Sequence, residues 1–368
     1  PLMFDYYKVT PVQIFWDIQD RQVVGNPRPY ALVVVMLTLA VVMYLVGKVL
    51  FGGRAHEMQA KASVASTTAR LGGVRGLLAA GAFGGVTLLA ILPHIGVVLA
   101  SLTDTTDGRG WYRSVLPDAF TLHHFQQALS HPLAMGSIQN SLILSTLAMV
   151  LCVLMGLAIA YLNVRAKIRG GFILDTLAML PLAVPGLVMA FGYVAMTLAW
   201  PVAPLREMFE EWGWSTAASL LSVTGADPNP MLILVIAYAV RRLPYVVRSA
   251  TAGLEQTSGQ LEEAALNLGA PPLYAIRRVV VPLIMANLIA GGILAFSFAM
   301  LEVSDSLILA QKERYYPITK AIFDLFGRLG DGPYIASAMG VWGMALLTVT
   351  LVGASALMGK KLGAIFRV

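Results

Sequence analysis

Residues 263–282 read EAALNLGAPPLYAIRRVVVP, a polar and charged stretch between two long apolar segments. Its local physics is definite. Leu261, Ala264, Ala265 and Leu268 recur at i, i+3, i+4 and i+7, which predicts one apolar face of a short helix. Glu262, Glu263 and Asn267 take the other face. Gly269 suits the position just past a helix end, where the backbone turns left-handed. Pro271-Pro272 stops that helix, and Pro272 is suited to open a second one. The expectation is a helix–turn–helix on a membrane surface, short and stiff enough for a partner to grip.

The flanking apolar segments are part of a wider pattern. The 368-residue chain is 57% hydrophobic and 12% charged, with a mean hydropathy of +0.72. A soluble domain carries about 25% charged residues, so the chain is read as an integral membrane protein. Seven segments, about 30–51, 76–101, 137–163, 171–200, 231–250, 283–304 and 335–358, are long enough to cross roughly 30 Å of hydrocarbon. Open strands cannot satisfy their backbone groups in lipid, so all seven are expected to be helices of an all-α, polytopic transmembrane bundle. The single cysteine, Cys152, lies in an apolar run and reads as a small buried hydrophobe. The net charge of +6 sets orientation and does not point to nucleic acid.

Short loops give that orientation. Residues 164–170 carry Arg165, Lys167 and Arg169, residues 52–75 carry Arg54, Lys61, Arg70 and Arg75, and the tail 359–368 carries Lys360, Lys361 and Arg367. If the spans alternate, these basic stretches share one side, which is then cytoplasmic, and the 251–282 loop lies there too. The opposite side receives 201–230, with Glu207, Glu210, Glu211 and Asp227 against Arg206. The 305–334 loop, with both Lys/Arg and acids, argues weakly against this assignment.

The first span precedes a set of six, and an internal similarity accounts for it. Residues 6–31 resemble 315–336: Tyr6-Tyr7 matches Tyr315-Tyr316, Thr10 matches Thr319, Ile14-Phe15 matches Ile322-Phe323, and Pro29-Tyr30 matches Pro333-Tyr334. Asp17, Arg21 and Gly25 match Asp324, Arg328 and Gly332 at the same spacing. Such similarity marks a duplicated unit. Residues 1–51 are therefore expected to be the tail of a preceding six-span module and 52–75 a cytoplasmic linker. Residues 76–358 form a complete module and 359–368 a cytoplasmic tail. The chain begins at Pro1 without an initiator Met or a signal-peptide pattern, and is read as a piece of something longer.

The 263–282 stretch resembles the EAA loop of type I ABC-importer permeases, the membrane subunits of binding-protein-dependent uptake systems. Glu263, Ala264, Ala265, Gly269, the aliphatic residues Val279 and Val281, and Pro282 stand at its fixed positions, with Val281 where Leu is commoner. Asn140-Ser141-Leu142 opens a span as in such permeases. Leu180-Pro181-Leu182-Ala183-Val184-Pro185-Gly186 and Leu301-Glu302-Val303-Ser304-Asp305-Ser306-Leu307-Ile308-Leu309 are similar to the ferric-iron branch. The two-module layout is similar to ferric-iron and thiamine permeases.

The resemblance implies that the first loop helix sits in a groove on a cytoplasmic ABC ATPase dimer. Glu263 would pair there, Ala264 and Ala265 would allow close approach, and Gly269 would make the turn. It further implies a substrate-binding protein at the outer face, a bacterial inner-membrane location, and a first permease module in the same parent polypeptide. ATP and Mg2+ would be bound by the ATPase, and this chain would carry no cofactor of its own.

Charged residues within the spans are the candidates for substrate contact. Arg241 and Arg242 lie about halfway along the fifth apolar segment, where a charge costs roughly 2.5–3.5 kcal/mol or more. They either line an aqueous pathway, reach to the interface, or pair with acids. Glu302 and Asp305, three residues apart, are expected on one helix face. They would meet a cation, a binding protein or an arginine. Pro181, Pro185 and Gly186 interrupt the fourth segment, either as a pore-lining break or as a static kink. His123, His124 and His131 lack the spacing of a metal site.

No GxxxxGK[ST] phosphate loop occurs, so this chain is expected to be a transport subunit without ATPase activity of its own. Ferric iron is the first expectation for cargo, with thiamine, polyamine or an oxyanion behind it. A carrier driven by an ion gradient is the alternative of another class, and the charges at Arg241 and Arg242 keep it open.

Overall fold

A computed structural model describes residues 9–19, 27–51, 72–105, 116–225 and 227–365. The described residues are helical, apart from turns, loops and one bridge between Thr103 and Phe120. The long elements are α2 (Arg28–Phe51), α3 (Gly73–Leu102), α5 (Pro132–Val164), α10 (Met231–Gln256), α14 (Met285–Met300) and α17 (Gly332–Ile365). Shorter helices join them: α1 (Thr10–Gln19), α4 (His123–Ser130), α6 (Gly171–Ala183), α7 (Gly186–Leu198), α8 (Val202–Glu211) and α9 (Ser215–Leu220). The 251–282 region adds α11 (Gln260–Asn267), α12 (Pro272–Ala275), a π-helical turn (Ile276–Val280) and α13 (Val281–Leu283). Beyond α14 lie α15 (Ser304–Leu309), a 3₁₀ turn (Glu313–Tyr315) and α16 (Ile318–Phe326).

Among the described residues, five stretches can cross a membrane by length and composition: 28–47, 73–102, 132–164, 186–211 and 332–353. Residues 272–283 and 285–300, bent by 78°, make a sixth if the pair counts as one span. α10 has 26 residues, about 39 Å of helix, and carries Arg241, Arg242 and Arg248 along it.

Two expected spans are corrected. The 171–200 segment is two helices: Pro185 drives Val184 to an extended conformation (φ −84°, ψ 130°), so α6 ends there and α7 starts at Gly186. Pro181 is buried inside α6 and breaks nothing. The 283–304 segment likewise stops at Met300, and α15 starts afresh at Ser304.

α5, α10 and α14 form the centre. Leu144, Ala148 and Cys152 of α5 meet Leu234, Ala237 and Tyr238 of α10 and Ala295 and Ala299 of α14 in one buried cluster. Small residues set the spacing: a Cβ on Gly156 would stand 2.8 Å from Val246 Cγ1, so α5 and α10 approach closely only with glycine there. α2 and α1 cover α6 and α7 through Leu32, Val33, Met36 and Ile14. α3 packs along α17 and leaves Leu77, Leu78, Phe83, Val86, Leu88 and Leu89 exposed, as a lipid-facing helix does.

The loops gather at two opposite ends of α5. At its C-terminal, basic end Arg165 meets Thr257 and Tyr161 meets Glu262. At the other end Asn140 and Ser141 meet residues 314–318, while Asp227 pairs with Lys312 and Arg314. α1 precedes α2 as α16 precedes α17, a short helix leading into a long apolar one. Residues 1–8, 20–26, 52–71 and 366–368, which hold Tyr6-Tyr7, Arg21 and Gly25 of the first similar stretch, most of the expected linker and the end of the tail, lie outside the described residues.

Candidate functional site

At the basic end α11 closes with two backbone bonds, Gly269 N–H to Leu266 O (2.9 Å) and Ala270 N–H to Ala265 O (3.1 Å). This pair is a Schellman closure, and it requires the left-handed φ of +89° that Gly269 adopts. Pro272 then opens α12. The helix–turn–helix has the expected chemistry, but Glu262 is parted from Glu263 and Asn267, which are exposed. Glu262 is buried, whereas Leu261, Leu266 and Leu268 stand exposed, Leu268 at 89%. Glu263 and Ala264 are exposed beside them, and Ala265 is half-buried. The expectation that Glu262 shares one face with Glu263 and Asn267 is therefore corrected. Its carboxylate finds donors on α5, while the apolar side chains have no seat on the body of the protein.

Near the middle of α10, Arg241 and Arg242 are met by two acids. Arg241 Nε donates to Asp305 Oδ2 at 3.1 Å and Nη2 donates to Asp305 Oδ1 at 3.0 Å. Nη2 donates to Gly186 O at 3.1 Å as well, and Glu302 Oε2 lies 3.5 Å from Nε. Arg242 donates to Glu302, and its guanidinium lies over the Phe298 ring. Glu302 Oε1 in turn accepts from the Ser304 N–H at 3.1 Å. Glu302 and Asp305 are both buried. They do not share one helix face as expected, since Glu302 lies in the break between α14 and α15 and Asp305 in the first turn of α15. The break lets both reach the arginines.

Two broken helices thus meet at one arginine. Gly186 starts α7, Asp305 belongs to α15, and Arg241 bridges them. The approach is tight: a Cβ on Gly186 would stand 2.5 Å from Ser304 Cβ and 3.1 Å from Arg241 Nη1. Buried charge is tolerated only when paired and hydrogen-bonded, and two arginines against two carboxylates give a neutral set. Discontinuous helices with ionisable groups are also how transporters build sites inside a membrane. The partnership of Gly186 with Ser304 was not expected, and nothing in the local sequence marks it. A buried arginine pair does announce that acids must be found, and Glu302 and Asp305 were the ones at hand.

At the opposite end, His124 is buried with Nε2 2.9 Å from Thr103 O, and its ring stacks on Tyr334. The His131 ring accepts from the Leu133 N–H at the start of α5. Among the described residues no three His, Cys, Asp or Glu side chains come together as a metal site. Lys312 and Arg314 hold the exposed Asp227 carboxyl below its usual range through hydrogen bonds and charge.

The profile of the family described as "Binding-protein-dependent transport system inner membrane component" matches residues 152–357. The chain is 31% identical over 224 residues to the ferric transport system permease protein of Actinobacillus pleuropneumoniae. That match covers 60% of this chain and 29% of the relative, so the chain spans under a third of that relative's length. It is 27% identical over 210 residues to the molybdate/tungstate transport system permease protein of Pyrococcus furiosus, covering 56% of this chain and 71% of that one. In fold it is similar to a chain of a bacterial ABC transporter that imports the acidic polysaccharide alginate. There the TM-score is 0.53 at 16% identity, over 78% of this chain and 99% of that one.

Proposed function

Since the chain belongs to the family of binding-protein-dependent transport system inner membrane components, we propose that it is a permease whose 251–282 loop docks a cytoplasmic ATPase. The chain is an integral, multi-pass membrane protein. The basic end of α5 is then cytoplasmic and the membrane is the bacterial inner membrane. ATP and Mg2+ are bound by an ABC ATPase dimer, and a substrate-binding protein delivers cargo to the opposite end.

One observation carries this reading: α11 presents Leu261, Leu266 and Leu268, with Glu263 and Ala264, to the outside of the protein at its basic end. An exposed apolar helix face of this kind fits a groove on a partner. Glu263 would pair with donors in that groove, Ala264 and Ala265 would let it close in, and Gly269 would hold the two loop helices at their angle. Arg241, Arg242, Glu302, Asp305 and the helix breaks at Pro185-Gly186 and Leu301–Val303 would form the wall of the pathway and its moving joint. Their charges cancel, so neither acid of this set is left unpaired to carry a driving ion. That favours ATP over an ion gradient.

Ferric iron remains the first proposal for cargo, because the ferric permease is similar at 31% identity. The molybdate/tungstate relative keeps an oxyanion in view. The like order of α1–α2 and α16–α17 supports reading 1–51 as the tail of a first permease module. The docking role is tested by co-purification with the ATPase subunit. Glu263→Arg and Leu268→Asp are each expected to release it, and retention by both variants would refute the role.

A further inference from the structure

The inward side of α11 carries a second arrangement, distinct from the exposed face. Glu262 is 8% exposed and immediately precedes the Glu-Ala-Ala triplet. The Tyr161 hydroxyl donates to Glu262 Oε1. Arg165 Nε stands 3.7 Å from Glu262 Oε2. The same guanidinium donates through Nη2 to Thr257 O at 2.8 Å and to Thr257 Oγ1 at 3.0 Å, at the residue that ends α10. A Cβ on Gly259 would lie 3.3 Å from Arg165 Nη1, so the guanidinium runs close along the turn into α11. Tyr161 and Arg165 are four residues apart, hence on one face at the end of α5.

We propose that Tyr161, Arg165 and Glu262 are the link through which displacement of α11 passes to α5. The proposal rests on the coupling reading of α11. Leu261, Glu263 and Ala264 are exposed, and α11 packs on the π-helical turn and α12 of its own loop. Glu262 ties it to α5. A buried carboxylate is costly to withdraw from its donors, so α11 and the end of α5 move as one body under load. α5 is a continuous 33-residue helix. At its far end Asn140 donates to Arg314 O and Tyr316 O, and Ser141 Oγ accepts from the Ile318 N–H. A shift of α11 therefore reaches the segment leading into α16. Glu263 faces the partner, and Glu262 faces the load.

The test uses the full transporter in a Cys152→Ala background with spin labels at Asn267→Cys on α11 and Leu162→Cys on α5. The distance between labels is measured by pulsed electron resonance without nucleotide and after trapping with ATP and vanadate. The unsubstituted link is expected to keep one distance in both states. Glu262→Gln with Tyr161→Phe is expected to match it without nucleotide, and to shift by about 2 Å or more on trapping. Tyr161→Phe alone, which removes one hydroxyl, is expected to show a smaller shift and guards against misfolding of the double variant. Throughout, the ATPase subunit stays bound. A variant that behaves as the parent overturns the link. So does a distance already altered without nucleotide, which means that the three residues only place the loop. If the parent binds no ATPase subunit, the coupling reading itself fails and the link with it.

Discussion

Arg241 and Asp305 form a two-pronged ion pair, at 3.0 and 3.1 Å, that joins the middle of α10 to the first turn of α15. Asp305 is fully buried and Arg241 nearly so. Removing one partner strands the other. Asp305→Ala is expected to destabilise the protein by about 3 kcal/mol, since Glu302 compensates only in part. The double variant Arg241→Met, Asp305→Leu is expected to recover more than half of that loss. Thermal unfolding in detergent, read as a double-mutant cycle, checks both values.

Gly186 lies where α7, α15 and Arg241 come together. Gly186→Ala places a methyl 2.5 Å from Ser304 Cβ, and the two helix starts must part. The expected cost is about 1–3 kcal/mol, as for other overpacked sites. Ser304→Gly in the same chain removes the obstacle and is expected to restore most of the stability. The unfolding temperatures of the two single variants and the double variant decide this.

Gly269→Ala tests the loop turn. The residue sits at φ +89° in a closure made by backbone bonds. Alanine there is expected to cost about 1 kcal/mol. If the ordered turn is what the ATPase subunit binds, the same figure appears as roughly fivefold weaker binding. Titration of the purified ATPase subunit onto the permease in detergent measures it.

Ser141→Ala tests the far end of α5. Ser141 Oγ accepts from the Ile318 N–H at 2.8 Å in a buried setting. Its loss leaves that amide unpaired, at about 1–3 kcal/mol. Hydrogen exchange of the peptide spanning 313–326 is expected to quicken, while that of α11 stays unchanged.

What the sequence makes legible here is local. The turn at Gly269 and Pro272 is visible because its chemistry lies within a few residues. The need for acids near Arg241 and Arg242 is visible because charge in an apolar span must be answered. The break after Met300 is not visible. Residues 293–309 contain neither Pro nor Gly, so the chain turns there because Glu302 and Asp305 are drawn to α10 and not because a breaker stops the helix. The orientation of α11 is hidden for another reason. A period of 3.6 identifies an apolar face but does not say whether that face belongs to the core or to a partner. Glu262 settles it, through Tyr161 and Arg165, some hundred residues away in the chain. The 171–200 run shows the limit of reading proline alone. Pro185 breaks the segment and Pro181 does not, although both occur in one apolar stretch.

On the proposed function, ATP hydrolysed by a partner subunit acts through the 251–282 loop to drive cargo movement. Uptake into proteoliposomes holding the complete transporter tests it most directly, with ligand-loaded binding protein outside and radiolabelled ferric iron or molybdate as cargo. The account predicts accumulation of one of these when ATP is enclosed, and its loss with Glu263→Arg. Accumulation driven by a proton or sodium gradient without ATP, undiminished by Glu263→Arg, would contradict it.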